Sequence, residues 1–143
     1  MPAAVPREPK VICYLDSNIV MYFIESRALW GPRATAVIGD MRSHGDILAV
    51  SDLTRMECRV GPLRTGDAFL LQAFDSFFSA AGVGVIPITS AAWDRATTIR
   101  AKHGFRALDA IHLATAAEAG CDIFLTNDKR LSSFPDIRVN ELS

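Results

Sequence analysis

Two apolar segments of this chain end in acid. Val11-Ile12-Cys13-Tyr14-Leu15 runs into Asp16-Ser17-Asn18, and Ile123-Phe124-Leu125 runs into Thr126-Asn127-Asp128. A buried strand that stops at a carboxylate delivers charge to the rim of a sheet, where open α/β folds bind their ligands. Two further acids, Glu57 and Asp109, reach the same rim by chain geometry. Four carboxylates at one rim repel one another, so their convergence points to a metal-ion site.

The elements that must position them follow from hydrophobic patterning. Val11–Asp16 reads as a short, continuous, buried strand. Ser17–Ser26 is a helix with Ile19, Val20, Phe23 and Ile24 on one face, and Pro32–Ser43 is a second, with Pro32 in its first turn. Asp46–Ser51 holds a second strand. Asp52–Val60 is helical and is expected to stop at Gly61-Pro62. Asp67–Ala81 is a strongly apolar helix ended by Gly82, and Val83–Ile88 is a third strand. Ser90–Lys102 and Ala107–Ala119 are helices closed by Gly104 and Gly120. Ile123–Thr126 is the fourth strand. A helical turn at Asp128–Ser133 and a weak strand at Ile137–Asn140 finish the chain. Strands alternating with helices imply a parallel sheet with helices on both faces, the α/β class.

In such a sheet the linking helices run antiparallel to the strands and start near the carboxyl edge. Asp16 and Asp128 follow strands and belong to that edge. Asp109 lies in the first turn of the helix that feeds the fourth strand. Glu57 is five residues into its helix, about 7.5 Å along the axis, and its side chain reaches part of the way back. Asp46 and Asp122 precede strands and belong to the opposite edge. Each of the four also has a plainer reading. Asp16 or Ser17 suits an N-cap, Thr54-Arg55-Met56-Glu57 matches a capping box, Asp109 suits the positive end of a helix, and Asn127-Asp128 is ordinary turn chemistry. Capping alone does not require all four at one edge, and Asp109 sits in an otherwise largely apolar helix.

The bulk numbers narrow the field. The chain has 143 residues, half of them apolar and 22% charged, with a net charge of -1. That length fits one domain, here residues 11–143, preceded by a loose arm at 1–10 containing Pro2, Pro6 and Pro9. No basic field advertises nucleic acid, although a near-neutral total leaves room for a local basic strip. Cys13, Cys58 and Cys121 are far apart, without a C-x-x-C pair, and read as buried thiols in a reducing compartment. No signal peptide or membrane-spanning run is present, and the chain is expected to be soluble and cytoplasmic.

The segments Tyr14-Leu15-Asp16-Ser17-Asn18, Leu53-Thr54-Arg55-Met56-Glu57, Ala107-Leu108-Asp109-Ala110-Ile111-His112-Leu113-Ala114 and Leu125-Thr126-Asn127-Asp128 resemble, in order and spacing, a PIN domain. They are similar in particular to the VapC-type ribonuclease toxins of toxin–antitoxin pairs. The resemblance implies a three-layer α/β/α sandwich around a parallel sheet. It implies that Asp16, Glu57, Asp109 and Asp128 form an acidic pocket, that Mg²⁺ or Mn²⁺ supports cleavage of RNA there, and that Ser17 and Thr126 give polar support. It also implies a small antitoxin partner and a homodimer. The proline-containing arm departs from many such toxins.

Oxygen donors without His or Cys favour hard cations such as Mg²⁺ or Mn²⁺. Asp16 and Asp109 are then the first candidates for direct ligands. Asp128 holds a second ion or acts through water, and Glu57 ligates or orients the attacking water. Arg55, Arg59, Arg106, Lys129 and Arg130 flank the acids and suit an RNA backbone, or else form a solvated surface. His112, three residues after Asp109, reads as a packed or supporting histidine. Trp93 and the Phe69–Phe78 cluster read as core or dimer contacts. Two alternatives stay open: a non-catalytic PIN-like binding module, and a receiver-like phosphoacceptor domain, which would need a lysine at the rim after a later strand. A nucleotide-binding enzyme is disfavoured because no G-x-G-x-x-G or Walker A loop follows any strand.

Overall fold

A computed structural model of the chain describes residues 10–143. The loose arm expected at 1–10 lies almost wholly outside the described residues. Five strands form one parallel sheet: β1 (Ile12–Leu15), β2 (Ile47–Ser51), β3 (Val83–Ile86), β4 (Ile123–Thr126) and β5 (Arg138–Glu141), in the order β3-β2-β1-β4-β5. Between them run α1 (Ser17–Glu25), α2 (Trp30–Ser43), α3 (Asp52–Thr65), α4 (Ala68–Phe78), α5 (Ser90–His103) and α6 (Ala107–Glu118). The α/β sandwich expected from the sequence is the observed architecture.

The period-2 alternation of the strands divides the core into two layers. Cys13 and Leu15 of β1, with Leu48 and Val50 of β2, face a cluster containing Ile19, Val20, Ile38, Cys58 and Phe74. Tyr14 and Ala49 point to the other side, where they meet Ala96, Ile99, Ala110, Leu113, Ala114 and Phe124. Thus α1 to α4 supply one layer, and α5 and α6 the other. Burial pushes the Cys13 and Cys58 thiols up to about 12, as expected of inert core cysteines.

The strand order sets where a ligand can bind. The chain first moves from β1 to β2 to β3, then returns to place β4 on the other flank of β1. The crevice at the carboxyl ends of β1 and β4 is therefore the topological switch point of the sheet. Leu15 pairs with Leu125, so Asp16 and Thr126 emerge side by side, and the Asp16 amide donates to the Leu125 carbonyl at 2.9 Å.

Several boundaries differ from expectation. Helix α3 does not stop at Gly61-Pro62. It continues to Thr65 and ends at Gly66, whose left-handed backbone (φ 73°) supplies the C-cap. Pro62 forgoes one ladder bond but is buried, so tertiary packing outweighs its breaking tendency. Strand β3 ends at Ile86 because Pro87 offers no N–H to extend the ladder. Helix α4 ends at Phe78 and β5 starts one residue later than expected. Phe74, Phe77 and Phe78 enter the core as expected, whereas Phe69 is 93% exposed and Trp93 is half exposed.

Leu48 lies on the second strand with no solvent exposure. Truncation there removes packed methyl groups and leaves a cavity. We expect Leu48→Ala to lower the free energy of unfolding by about 2–5 kcal/mol, measured by urea titration followed by circular dichroism. A loss under about 1 kcal/mol would contradict this packing.

Candidate metal centre

Asp16 is the hub. It ends β1, caps α1 and is 6% exposed. Its Oδ1 accepts from the Ser17 amide at 2.8 Å, and its Oδ2 accepts from the Thr126 hydroxyl at 2.7 Å. The capping interpretation is thus correct for this residue, and incomplete. Burial pushes the Asp16 carboxyl up, with the Asp109 charge adding to it, against the opposing effects of His112, Thr126 and the Ser17 amide. Thr126 is fully buried, and its oxygen also accepts from the Asp128 amide at 3.0 Å. One hydroxyl therefore joins the ends of both central strands.

Glu57 reaches the same end of the sheet from α3. Its Oε1 accepts from the Ser17 hydroxyl at 2.8 Å and lies 2.6 Å from His112 Nε2. A carboxylate only accepts, so Nε2 carries the proton in that bond, and Nδ1 lies 2.6 Å from the Tyr14 hydroxyl. Tyr14 is in turn 2.9 Å from Ser51 Oγ. Burial would push the Glu57 carboxyl up, but the hydrogen bond and charge of His112, together with Ser17, outweigh it and hold the group below its ordinary range. The capping-box alternative for Glu57 does not apply. Helix α3 starts three residues earlier, with the Ser51 amide donating to Thr54 Oγ1 at 3.1 Å, and Glu57 takes no part in that cap.

Asp109 lies in the first turn of α6, almost buried, and Arg106 Nε donates to its Oδ2 at 3.1 Å. Asp128 accepts from the Arg130 side chain through both its oxygens, and its Oδ1 also accepts from the Arg130 amide at 3.0 Å. These bonds hold the Asp128 carboxyl below its ordinary range. Nη2 of Arg130 is also 3.8 Å from Asp109 Oδ2.

The structure places Asp16, Glu57, Asp109 and Asp128 at the carboxyl edge, with Ser17 and Thr126 between them. Among the described residues, however, no three His, Cys, Asp or Glu side chains converge to hold a metal ion. In this arrangement Glu57 is held by Ser17 and His112, Asp109 by Arg106, and Asp128 by Arg130. Of the flanking cations, only Arg106 and Arg130 engage the acids. Arg55 pairs with Asp52, and Arg59 with Asp75. Lys129 lies in the turn after β4, not at the end of a later strand, so the feature a receiver-like domain needs is not where that reading would put it.

His112 is 1% exposed, as the supporting role anticipates. The parts of Tyr14 and Ser51 were not anticipated. A usable signal was present: Tyr14 puts a hydroxyl on a central strand, and a buried tyrosine normally finds a polar partner.

A parallel sheet between two helical layers, with acids at the carboxyl edge beside its switch point, defines an α/β/α class of domain. The PIN domain model matches residues 13–137, and the chain belongs to the PIN-domain family. Three solved structures illustrate the fold. VapBC2 from Rickettsia felis, bound to a promoter DNA fragment, is 14% identical with a TM-score of 0.73, covering 93% of this chain and 100% of that one. A toxin–antitoxin complex from Klebsiella pneumoniae is 21% identical with a TM-score of 0.71, covering 92% and 98%. The sarcin–ricin-loop-cleaving toxin VapC20 from Mycobacterium tuberculosis is 14% identical with a TM-score of 0.69, covering 88% and 98%. No curated protein sequence gives a significant match.

The upward shift of Asp16 has a stability consequence. Between the unfolded and folded values the native state holds this proton more tightly, so its contribution to stability falls as pH rises through that window. Asparagine keeps the bond from the Ser17 amide, can meet Thr126 only with that bond reversed, and removes the buried charge. In EDTA at pH 7, Asp16→Asn should therefore melt above the wild type, by about 3–6 °C if the gain is near 1 kcal/mol. The gap should narrow as pH falls toward the ordinary aspartate range. A variant that melts lower at pH 7 would refute this account.

Proposed function

We propose that this chain is a metal-dependent endoribonuclease of the VapC toxin type, hydrolysing RNA phosphodiesters at the acid pocket and restrained by a cognate antitoxin. The observation that carries this reading is Asp16. Its buried carboxylate is fixed at the switch point by Ser17 and Thr126, and Glu57, Asp109 and Asp128 border the same edge. Membership of the PIN family supports it. So do the similar structures, which include toxin–antitoxin complexes and a toxin that cleaves the sarcin–ricin loop.

The donor set fits a hard divalent ion. It offers carboxylate and hydroxyl oxygens, and the one histidine in contact with it, His112, has both ring nitrogens engaged with Tyr14 and Glu57. Mg²⁺ or Mn²⁺ would be held by Asp16 and Asp109, with Asp128 serving a second ion or acting through water. Such an ion would let an acidic pocket accept a phosphodiester and would raise the acidity of bound water. The chain's own residues do the positioning. Ser17 and His112 fix Glu57 through Oε1, which leaves Oε2 to orient water or to ligate. Arg106 and Arg130 stand beside the acids, placed to meet phosphates of the backbone. The free, buried cysteines agree with a cytoplasmic setting, and no helix among the described residues is long and apolar enough to cross a membrane. A homodimer belongs to the same proposal, with the exposed Phe69 and Trp93 side chains as candidate contacts.

One observation favours a second reading, a PIN-like module that binds without cutting. Asp109 and Asp128 are paired with arginines in this arrangement, and no three donors converge among the described residues. Activity separates the two. Purified protein should cleave single-stranded RNA in Mg²⁺ or Mn²⁺ and lose that activity in EDTA. Losing a supporting residue at a metal site typically costs about 10–100-fold, so Asp16→Asn and Asp109→Asn should each reduce the rate by more than about a hundredfold while keeping the wild-type circular dichroism spectrum. Cleavage that survives EDTA, or wild-type rates in folded Asp16→Asn, would overturn the proposal.

A further inference from the structure

The geometry points to Arg130 as a resident cation of the acid pocket, which occupies the carboxylates in the absence of metal and competes with a divalent ion for them. This inference deepens the function proposed above and rests on it. Arg130 donates to Asp128 in a fork, Nε to Oδ1 at 3.0 Å and Nη2 to Oδ2, and Nη2 also stands 3.8 Å from Asp109 Oδ2. Arg106 approaches that same Asp109 oxygen at 3.1 Å. The two arginine side chains are 63% and 71% exposed, while the side chains of Asp128 and Asp109 are only 18% and 12% exposed. Long arms therefore reach in from solvent to cover acids set into the rim.

A guanidinium fork and a divalent ion use the same carboxylate lone pairs. They cannot both have them. In the structure the Asp128 lone pairs face arginine. The arrangement is cheap to exchange, because an exposed ion pair is worth little. It is also local. Arg130 follows Asp128 by two residues, in the turn Lys129–Ser133 that Asp128 itself caps, so release requires a side-chain rotation rather than a rearranged fold. Asp16 and Glu57 behave differently. Their partners are the hydroxyls of Ser17 and Thr126, the Ser17 amide and His112, and none of these partners is an exposed cation. The pocket thus has a fixed half and an exchangeable half.

The exchange is tested by metal affinity without RNA or turnover. Mn²⁺ is titrated into the purified full-length chain and followed by electron paramagnetic resonance, for wild type, Arg130→Gln, Arg130→Lys and Arg64→Gln. Arg64 is an exposed arginine about 10 Å along α3 from Glu57, and its substitution controls for net charge. Arg130→Gln should bind Mn²⁺ about two- to fivefold more tightly, the weight of one exposed ion pair. Arg130→Lys, which keeps the charge but not the fork, should fall between, and Arg64→Gln should match the wild type. If Arg130→Gln binds no more tightly than wild type, or if Arg64→Gln gains as much, the exchange is refuted while the metal site stands. If neither wild type nor Arg130→Gln binds Mn²⁺, the metal-dependent reading falls with it. Binding by Arg130→Gln alone would support the exchange in its strongest form.

Discussion

The arrangement turns on one unfavourable event, the burial of the Asp16 carboxylate at the end of the central strand. Its neighbours soften the cost without cancelling it. The Ser17 amide and the Thr126 hydroxyl donate to it, yet desolvation still dominates its protonation. A carboxylate that the protein could satisfy fully would have no reason to take a metal. One left wholly unsatisfied would threaten the fold. Asp16 lies between those limits. Glu57 lies on the other side of the balance, because His112 and Ser17 stabilise its charge beyond the cost of burial. Two acids of similar intrinsic strength are thus shifted in opposite directions by their surroundings.

Much of this was legible in the sequence, for physical reasons. The continuous apolar runs of β1 and β4, each ending in polar residues, report strands buried on both faces, and direction along a parallel sheet then assigns Asp16 and Asp128 to one edge. Asp109 follows from its place at the start of a helix. Other features could not be read so directly. The strand order depends on which layers the helices choose, and local patterning does not carry that. Gly61-Pro62 looked like a stop because isolated propensity favours it, but Pro62 is buried within α3 and packing prevailed. The support from Tyr14 and His112 arises from contact across 98 residues of sequence, which no spacing rule reaches. The ordering of the arginines was also hidden. Five cations flank the acids in sequence, and only rotamers show that Arg106 and Arg130 turn toward them while Arg55 and Arg59 pair elsewhere.

The identities of 14–21% to the similar structures are low enough that the shared shape cannot rest on a shared core sequence. What such chains must keep is narrower. Likeness at this level needs a shared backbone path, here a parallel sheet whose order changes direction beside β1. The core can be refilled by many combinations of apolar side chains of suitable volume. A site at a switch point is different, because it is specified by backbone direction and by the residue types at a few strand and helix ends.

The support for the acids falls into two kinds, one buried and one exposed. On the inner side, Ser51, Tyr14 and His112 form a hydrogen-bonded line from the second strand to Glu57, and the three are buried. Each link fixes the next, so Glu57 is held from within the domain as well as by its own helix. On the outer side the partners are exposed guanidiniums on flexible stems. Moving them costs little packing. If the inner partners were equally loose, exchange of charge would let the carboxylates drift apart. If the outer partners were equally buried, an incoming ion would have to break a desolvated pair, which is far more costly than displacing an exposed one. Buried hydrogen-bonding partners inside and exposed arginines outside meet at the edge where two strand ends and two helices place the four carboxylates.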